Sequence, residues 1–185
     1  MPGKRKSSSL LSPEYALLGL LREKPDHGYE LHQRLVRNLG EVWHVSQSQV
    51  YNILSRLEAQ GYVSPTVKKQ FHLPDRRLLR LTAAGRRRFD AWFGAPPSAG
   101  VKAIRVEFMT RLYFAQRLHP EAVPGLIEAQ AAEVRAALER LQAALDECAP
   151  DQIYGQLGIG FRLRQLQSVL GWLAECRAKF ETKSQ

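Results

Sequence analysis

Cysteine is scarce in this chain of 185 residues, which contains only two cysteines. Two cysteines cannot build the disulfide framework that holds small secreted domains together, so that class of protein is excluded. Long apolar runs are missing as well, since none approaches the ~18 residues that a membrane-spanning helix needs. The basic residues 1–6 lack the apolar core of a signal peptide. We therefore expect a cytoplasmic protein that is neither exported nor membrane-bound.

Catalytic and metal-binding patterns are also lacking. The five histidines and two cysteines are scattered without the spacing of metal ligands. No nucleophile–base pair and no pair of carboxylates stands out. The glycines of residues 155–160 do not make a phosphate-binding loop, because no strand precedes them and no Lys-Ser or Lys-Thr pair follows. We predict no enzyme, no metal and no cofactor, and the role of the glycine segment stays open.

The chain does contain an excess of positive charge, and that charge is unevenly distributed. Residues 1–94 hold 16 Lys and Arg against 8 Asp and Glu, whereas residues 95–185 hold 11 against 10. A basic region neutralises phosphates and releases their counterions, so the first half is typical of a nucleic-acid-binding domain. A solvated basic surface that serves only solubility would explain the charge as well.

A short segment of prolines and small residues divides the chain. Pro96 and Pro97, flanked by Gly94 and Gly100, cannot continue a helix and indicate a linker. The predicted organisation is a flexible basic tail over residues 1–11, a first domain over 12–94, a linker over 95–100 and a second domain over 101–185.

Three helices, a strand hairpin and a fourth helix are predicted for the first domain. Helical spacing of apolar residues, strand alternation and capping residues give the bounds. Ser46 and Gln49 are predicted to form a capping box at the start of the third helix, and Thr82 to cap the fourth. The predicted elements are helices over residues 13–24, 28–39 and 46–60, strands over 62–67 and 77–81 with a turn at Pro74-Asp75, and a helix over 83–93. This is the order of a winged helix-turn-helix. We expect Tyr29 and Trp43 to lie in its core.

The third helix carries the most informative pattern. At 100° per residue, four apolar residues gather on one face: Val50, Ile53, Leu54 and Leu57. The opposite face carries short polar donors and acceptors with one Arg and no acid, which suits a helix in the major groove of DNA. An ordinary solvated face is the alternative, but such faces are usually rich in Lys and Glu. The helix residues predicted to contact DNA are Ser46, Gln47, Ser48, Gln49, Tyr51, Asn52, Ser55 and Arg56.

The strand hairpin would form a wing beside that helix. Its basic residues would meet the DNA backbone or the minor groove, and the predicted contacts are Lys68, Lys69, Arg76 and Arg77. Positive charge also protects an edge strand from unwanted pairing, and both roles can hold together. The three arginines at residues 86–88 on the fourth helix either touch phosphates or face water.

Four motifs make the first domain recognisable. They are YALLGLL and PDHGYEL at residues 15–21 and 25–31, WHVSQSQVYNILSRLEAQGYV at 43–63, and LRLTAAGR at 79–86. Together they resemble the PadR family of bacterial transcriptional regulators over about residues 12–93. The resemblance implies a mostly α-helical fold with a small β-hairpin, in which a winged helix-turn-helix is joined to a helical dimerisation domain. It also implies a repressor that responds to a small aromatic or drug-like effector.

Helical patterns continue through the second domain. A first helix is marked by Ile104, Phe108, Leu112 and Ala115, and heptad spacing predicts a seam in the next at Ile127, Ala131, Val134, Leu138, Leu141 and Leu145. The last helix repeats this spacing from Ile159 to Leu173 and adds a second apolar stripe of Phe161, Val169, Trp172 and Cys176. Two stripes need two partners, so we expect a homodimer. A monomeric bundle folded back on the first domain is the alternative.

The second domain resembles the longer PadR subgroup more loosely, around residues 105–115 and in the closing helix. An effector pocket lined by Trp172 or Phe161 would fit that resemblance, although packing explains these aromatic residues as well. We therefore predict a homodimeric regulator that binds a near-palindromic operator in double-stranded DNA. A non-regulatory or architectural nucleic-acid-binding protein is the alternative.

Overall fold

The computed structural model of the chain describes residues 12–68 and 76–182. Its internal contacts divide it into two compact units, with the boundary along the chain between Ala95 and Pro96. The expected basic tail over residues 1–11, the turn at Pro74-Asp75 and the predicted contact Lys69 lie outside the described residues.

Four helices build most of the first unit. They are α1 (Glu14–Glu23), α2 (Gly28–Leu39), α3 (Gln47–Ala59) and α4 (Ala83–Phe93). Residues 15–21 of α1 carry no charge on any side, which is typical of a helix at the centre of a core, and residues 14–21 are all buried. Tyr15 of α1 stacks on Trp92 of α4, with ring centroids 4.8 Å apart. Helix α1 therefore holds the other three helices together.

A small antiparallel sheet completes the first unit. Its strands are β1 (Asp26–His27), β2 (Val63–Lys68) and β3 (Arg76–Leu81), in the order β1-β3-β2. The predicted two-stranded hairpin was incomplete, because β1 pairs with β3 at Asp26–Leu79 and His27–Leu78. A strand of two residues carries no alternation that a sequence pattern could reveal. Pro65 is tolerated because β2 lies at the edge of the sheet.

Particular residues allow the connections between the helices and strands of the first unit. Gly61 has a φ of +74°, the left-handed conformation that favours glycine, where the chain leaves α3 for β2. Thr82 caps α4 by accepting a hydrogen bond from Gly85 N at 3.0 Å. A Cβ on Gly85 would lie 2.1 Å from the carbonyl oxygen of Tyr62, so only glycine fits there. Three helices, a hairpin and a fourth helix confirm the predicted winged helix-turn-helix order.

In the part of the second unit that the structure describes, all the regular elements are helical. It contains α5 (Val101–Ala103), a π-helical turn (Ile104–Phe108), α6 (Met109–Leu118), a 3-10 turn (Pro120–Ala122), α7 (Val123–Asp146) and α8 (Ile153–Glu181). The long helices α7 and α8 pack against each other. The mostly helical fold class is therefore confirmed.

The predicted seam of α7 is partly wrong. Four of the six predicted residues are buried as expected, namely Ile127, Ala131, Val134 and Leu141, whereas Leu138 and Leu145 are only half-buried. Gln130 and Ala137 are buried, although they were not predicted. An α-helix has 3.6 residues per turn, so a strict heptad pattern drifts around its surface.

A buried ion pair lies where the π-helical turn joins α6. Glu107 accepts a hydrogen bond from Arg111 one turn later, and the two side chains are only 10% and 4% exposed. Burial raises the pKa of the Glu107 carboxyl, against the opposing field of Arg111, and lowers the pKa of Arg111. The pair bonds within one helix, and the bond compensates part of the cost of burying both charges.

Two kinds of feature are absent from the described residues. None of the helices there combines the length and the apolar character needed to span a bilayer. Likewise, no group of three or more His, Cys, Asp or Glu side chains in those ranges could hold a metal ion. Cys176 is half-buried, and burial raises the pKa of its thiol, which disfavours the reactive thiolate.

Candidate nucleic-acid interface

Helix α3 begins with a capping box. Ser46 Oγ accepts a hydrogen bond from Gln49 N at 3.3 Å, and Gln49 Oε1 accepts one from Ser46 N at 2.8 Å. The pair was predicted from the spacing of Ser and Gln. Both side chains are thereby committed to the start of the helix, so they fix where the following residues point.

The two faces of α3 separate as predicted. Val50, Leu54 and Leu57 are buried against the core of the first unit, and Ile53, predicted on the same face, is half-buried. The predicted contact residues on the other side are all exposed, from Gln47 and Ser48 through Tyr51, Asn52 and Ser55 to Arg56. Within the described residues, the side chains of Ser48, Asn52 and Ser55 take part in no hydrogen bond. Their donors and acceptors are available to an outside partner.

Two predicted contact arginines are already paired in this unit. Arg56 donates a hydrogen bond to Glu14 Oε2 at 3.0 Å, and its side chain remains 52% exposed. Arg77 donates to Glu58 Oε1 at 2.7 Å and remains 57% exposed. Neither pairing was expected from the sequence, because the partners are 42 and 19 residues apart. Each arginine keeps further N–H groups that an anion could meet.

A groove of about 530 Å³ runs between the start of α2, helix α3 and strand β3. Tyr29 and Tyr51 line it and are 51% and 45% exposed. The placement of Tyr29 in the core was therefore wrong, whereas Trp43 is buried as expected. Tyr29 lies two residues before the buried Leu31, about 200° around the helix, so the periodicity of α2 already placed it outside.

Close contact shapes one wall of that groove. A Cβ on Gly28 would lie 2.8 Å from the Tyr51 ring, so the missing side chain lets the ring lie against the start of α2. His27 Nδ1 lies 3.0 Å from the carbonyl oxygen of Arg77 and ties β1 to β3 at the groove floor. Glu30 and Glu58 also line the groove, and the ion pair with Arg77 neutralises Glu58.

The wing brings Lys68 and Arg76 opposite each other as the last described pair of the β2–β3 ladder. On α4, Arg86 and Arg87 are exposed, whereas Arg88 bonds to the buried Glu14. The three arginines of residues 86–88 therefore have different roles. Two face outward, and the third belongs to the interior of the unit.

The second unit contains a cavity, but the two aromatic residues predicted to line an effector pocket are not part of its lining. A cavity of about 470 Å³ lies between residues 98–101, α7 and α8, and neither Trp172 nor Phe161 lines it. Trp172 packs edge-on against Phe108, with ring centroids 6.0 Å apart. Phe161 is 60% exposed. The expectation that these two residues line an effector pocket is not supported by that cavity.

Two family models match the chain. Residues 17–91 match the Transcriptional regulator PadR-like family, and residues 104–181 match Virulence activator alpha C-term. The Negative transcriptional regulator PadR of Bacillus subtilis is 26% identical over 134 residues, 72% of this chain and 73% of that protein. The Probable transcriptional regulator Rv1176c of Mycobacterium tuberculosis is 31% identical over 84 residues, 45% of this chain and 44% of that protein.

Solved structures are similar along most of the chain. The crystal structure of Bacillus subtilis PadR in complex with operator DNA is 26% identical, covers 90% of this chain and 98% of its own, and has a TM-score of 0.43. The structure of the Vibrio cholerae virulence activator AphA is 21% identical, with coverages of 93% and 99% and a TM-score of 0.39.

Proposed function

This chain belongs to the PadR-like family of transcriptional regulators, and we propose that it is a cytoplasmic, sequence-specific DNA-binding repressor that reads its operator with α3. The family consists of regulators and not of enzymes, in agreement with the prediction made from the residues. The repressor sign follows the Bacillus subtilis relative, whose name describes a negative regulator.

The exposed face of α3 is the observation that carries the proposal. Asn52 stands at its centre, between Ser48 and Ser55 one turn away on either side, and all three are exposed with unused polar atoms. Asparagine matches the donor and acceptor of adenine in the major groove, and serine reaches either bases or phosphates. The opposite face is anchored in the core, so the helix can be presented without rearrangement.

The groove beside α3 supports backbone contacts. In a winged helix, a helix in the major groove and a wing beside it are separated by one sugar–phosphate strand. Tyr29 and Tyr51 line the groove between α3 and β3 and offer hydroxyl groups there. We extend the predicted contact residues by Tyr29 for this reason. Together with the basic charge of residues 1–94, this surface favours a polyanion.

A homodimer is the second part of the proposal. Tyr154, Leu157 and Phe161 of α8 are 90%, 64% and 60% exposed. At 100° per residue they project opposite the buried residues Leu163, Leu166 and Leu173. A folded chain rarely leaves a large aromatic stripe in water, and a second copy would cover it. Tyr154 and Leu157 are absent from the stripe predicted by sequence.

The glycines of α8 fit the same surface. A Cβ on Gly158 or Gly160 would meet nothing within 4 Å in this chain, so intrachain packing does not require glycine there. Glycine inside a helix costs roughly 1 kcal/mol relative to alanine. Close approach of a partner helix would supply a reason for that cost. Two winged helices related by a two-fold axis would then read the two half-sites of a near-palindrome.

A small-molecule effector is the third part of the proposal. A solved structure of Bacillus subtilis PadR contains p-coumaric acid, a small aromatic acid. The second unit of the present chain contains the cavity of about 470 Å³, which is a common size for a small-molecule site. We propose that binding of a small aromatic or drug-like effector releases the repressor from its operator.

Selection of bound fragments from host genomic DNA tests the proposal. Full-length protein is mixed with the fragments, and the recovered sequences are compared with a scrambled duplex of equal length and composition. We expect a near-palindromic sequence that binds at least about a thousandfold more tightly than the scrambled duplex at the same salt concentration. Equal binding of both duplexes would favour the architectural alternative and contradict a regulator of specific genes.

A further inference from the structure

A single buried carboxylate connects the recognition helix with the helix that follows the wing. Glu14 stands in the first turn of α1, and its side chain is only 6% exposed. Its Oε2 accepts a hydrogen bond from Arg56 of α3 at 3.0 Å, and its Oε1 accepts one from Arg88 of α4. The three helices therefore meet at one acid with two cationic partners.

Arg88 is the fixed side of this cluster. Its guanidinium lies over the rings of Tyr15 and Tyr62, 5.5 Å and 4.7 Å from their centroids, and it donates a hydrogen bond to the Tyr62 hydroxyl at 3.4 Å. Partial burial alone would lower the pKa of Arg88, but the hydrogen bond and charge of Glu14 outweigh that and raise the pKa. Arg88 thus stays charged and holds the Glu14 carboxylate in one orientation.

Arg56 is the outward side of the cluster. It follows Asn52 by one turn on α3 and is half-exposed, so one N–H is bound to Glu14 while others face solvent. An unanchored arginine samples many rotamers, and holding it in one geometry on binding costs entropy. The bond to Glu14 restricts that freedom before DNA arrives.

We propose that Glu14 is a positioning residue for operator recognition, which fixes the orientation of Arg56 and of the C-terminal half of α3 through the Arg88 cluster. The inference rests on the proposed function of α3. Its consequence is that a buried acid, which never touches DNA, contributes to the ratio of operator affinity to non-specific affinity.

The second paired arginine provides a matched control. Glu58 also bonds to a predicted contact arginine, Arg77, but Glu58 is 31% exposed and no second cation holds it among the described residues. Long-range electrostatics does not distinguish Glu14 from Glu58. Removing either negative charge from a basic unit strengthens binding to any DNA duplex. Positioning distinguishes them, because only Glu14 is fixed by a third group.

The experiment compares Glu14→Gln with Glu58→Gln in the full-length protein. The probes are a duplex recovered from genomic DNA by the wild type and a scrambled duplex, each titrated at several salt concentrations. A glutamine at residue 14 can accept from one arginine but presents its amide N–H groups to the other. We expect Glu14→Gln to lower the operator-to-scrambled affinity ratio about tenfold. Glu58→Gln should leave that ratio unchanged while strengthening both affinities.

An unchanged ratio in Glu14→Gln, or an equal rise of both affinities in both variants, would overturn the inference. Thermal unfolding monitors whether Glu14→Gln is folded at the assay temperature. Should it unfold, Glu14→Asp takes its place, because aspartate keeps the charge on a side chain one methylene shorter and so weakens the bridge between Arg56 and Arg88. Glu14→Asp should then lower the ratio, and an unchanged ratio would overturn the inference. If Glu14→Gln is folded, the double variant Glu14→Gln/Arg56→Gln should lower the affinity ratio no further than Arg56→Gln alone does. Failure of the wild type to select any duplex would instead overturn the proposed function and this inference with it.

Discussion

Helices α3 and α8 are similar on their buried faces but differ in the chemistry of their exposed faces. Each buries one apolar face, through Val50, Leu54 and Leu57 in α3 and through Leu163, Leu166 and Leu173 in α8. The outward face of α3 is polar and free of acid, whereas the outward face at the start of α8 is aromatic and aliphatic. The inner face attaches a helix to its unit, and the outer face indicates the class of partner.

The two helices also differ in how they begin. Helix α3 starts with the reciprocal bonds of a capping box, which define its first turn. Helix α8 starts at Ile153 without a side-chain cap, and its exposed apolar residues lie in the following turns. A fixed start suits the reading of base edges that we propose for α3. The proposed partner of α8 would stabilise the start of that helix by packing against it.

Charge on the outer face of α8 has the largest expected effect. In Leu157→Asp combined with Phe161→Asp, dimerisation would bury unpaired carboxylates, so we expect the dimer dissociation constant to rise at least about a hundredfold. Both residues are exposed in the single chain, so its helix content should not change. Sedimentation equilibrium measures the effect, with Gln167→Asp as a control outside the stripe. Dimerisation of the double variant at wild-type affinity would contradict the assignment of this face of α8 to a dimer interface. A wild-type protein that is monomeric at micromolar concentration would contradict it as well.

Truncation of the central side chain of α3 has the next largest expected effect. Asn52→Ala should cost about 1–3 kcal/mol of binding free energy on the operator and relax specificity at one base position. Fluorescence anisotropy on the operator and on single-base variants measures both. An equal loss on a scrambled duplex would assign Asn52 to the DNA backbone and not to a base.

Removal of the α3 cap has a smaller effect, on stability. Ser46→Ala removes the acceptor for Gln49 N, and we expect the free energy of unfolding to fall by about 1 kcal/mol. Chemical denaturation measures the change. Ser48→Ala is the matched control, because Ser48 is exposed and makes no bond among the described residues. Equal effects of the two substitutions would show that the cap is not what orders α3.

The smallest expected effect belongs to Tyr29. Because its side chain is half-exposed, Tyr29→Ala should change the free energy of unfolding by no more than about 0.5 kcal/mol. If its hydroxyl meets a phosphate, binding to operator and scrambled duplex should weaken by the same factor. A large loss of stability would instead support the original prediction that Tyr29 lies in the core. A loss confined to the operator would make it a base contact.

Local sequence accounts for the regular elements. Helix α2 has the predicted bounds of residues 28–39, and the Ser46 and Thr82 caps fall where the sequence placed them. Helix α1 begins one residue later than predicted, at Glu14. These features depend on residues within a few positions of one another, because caps and periodicity are properties of one turn or one face.

Long-range contacts account for the rest. The pairing of β1 with β3 joins residues about 50 positions apart, and Glu14 meets Arg56 and Arg88 across 42 and 74 positions. Composition places acids and arginines in the first unit but does not say which of them meet. Chain folding brings such groups together only after the core has formed, and burial of Glu14 then makes its two bonds obligatory. Sequence pattern and residue chemistry thus predict a class of partner for each helix, while packing decides which side chains remain exposed on its surface.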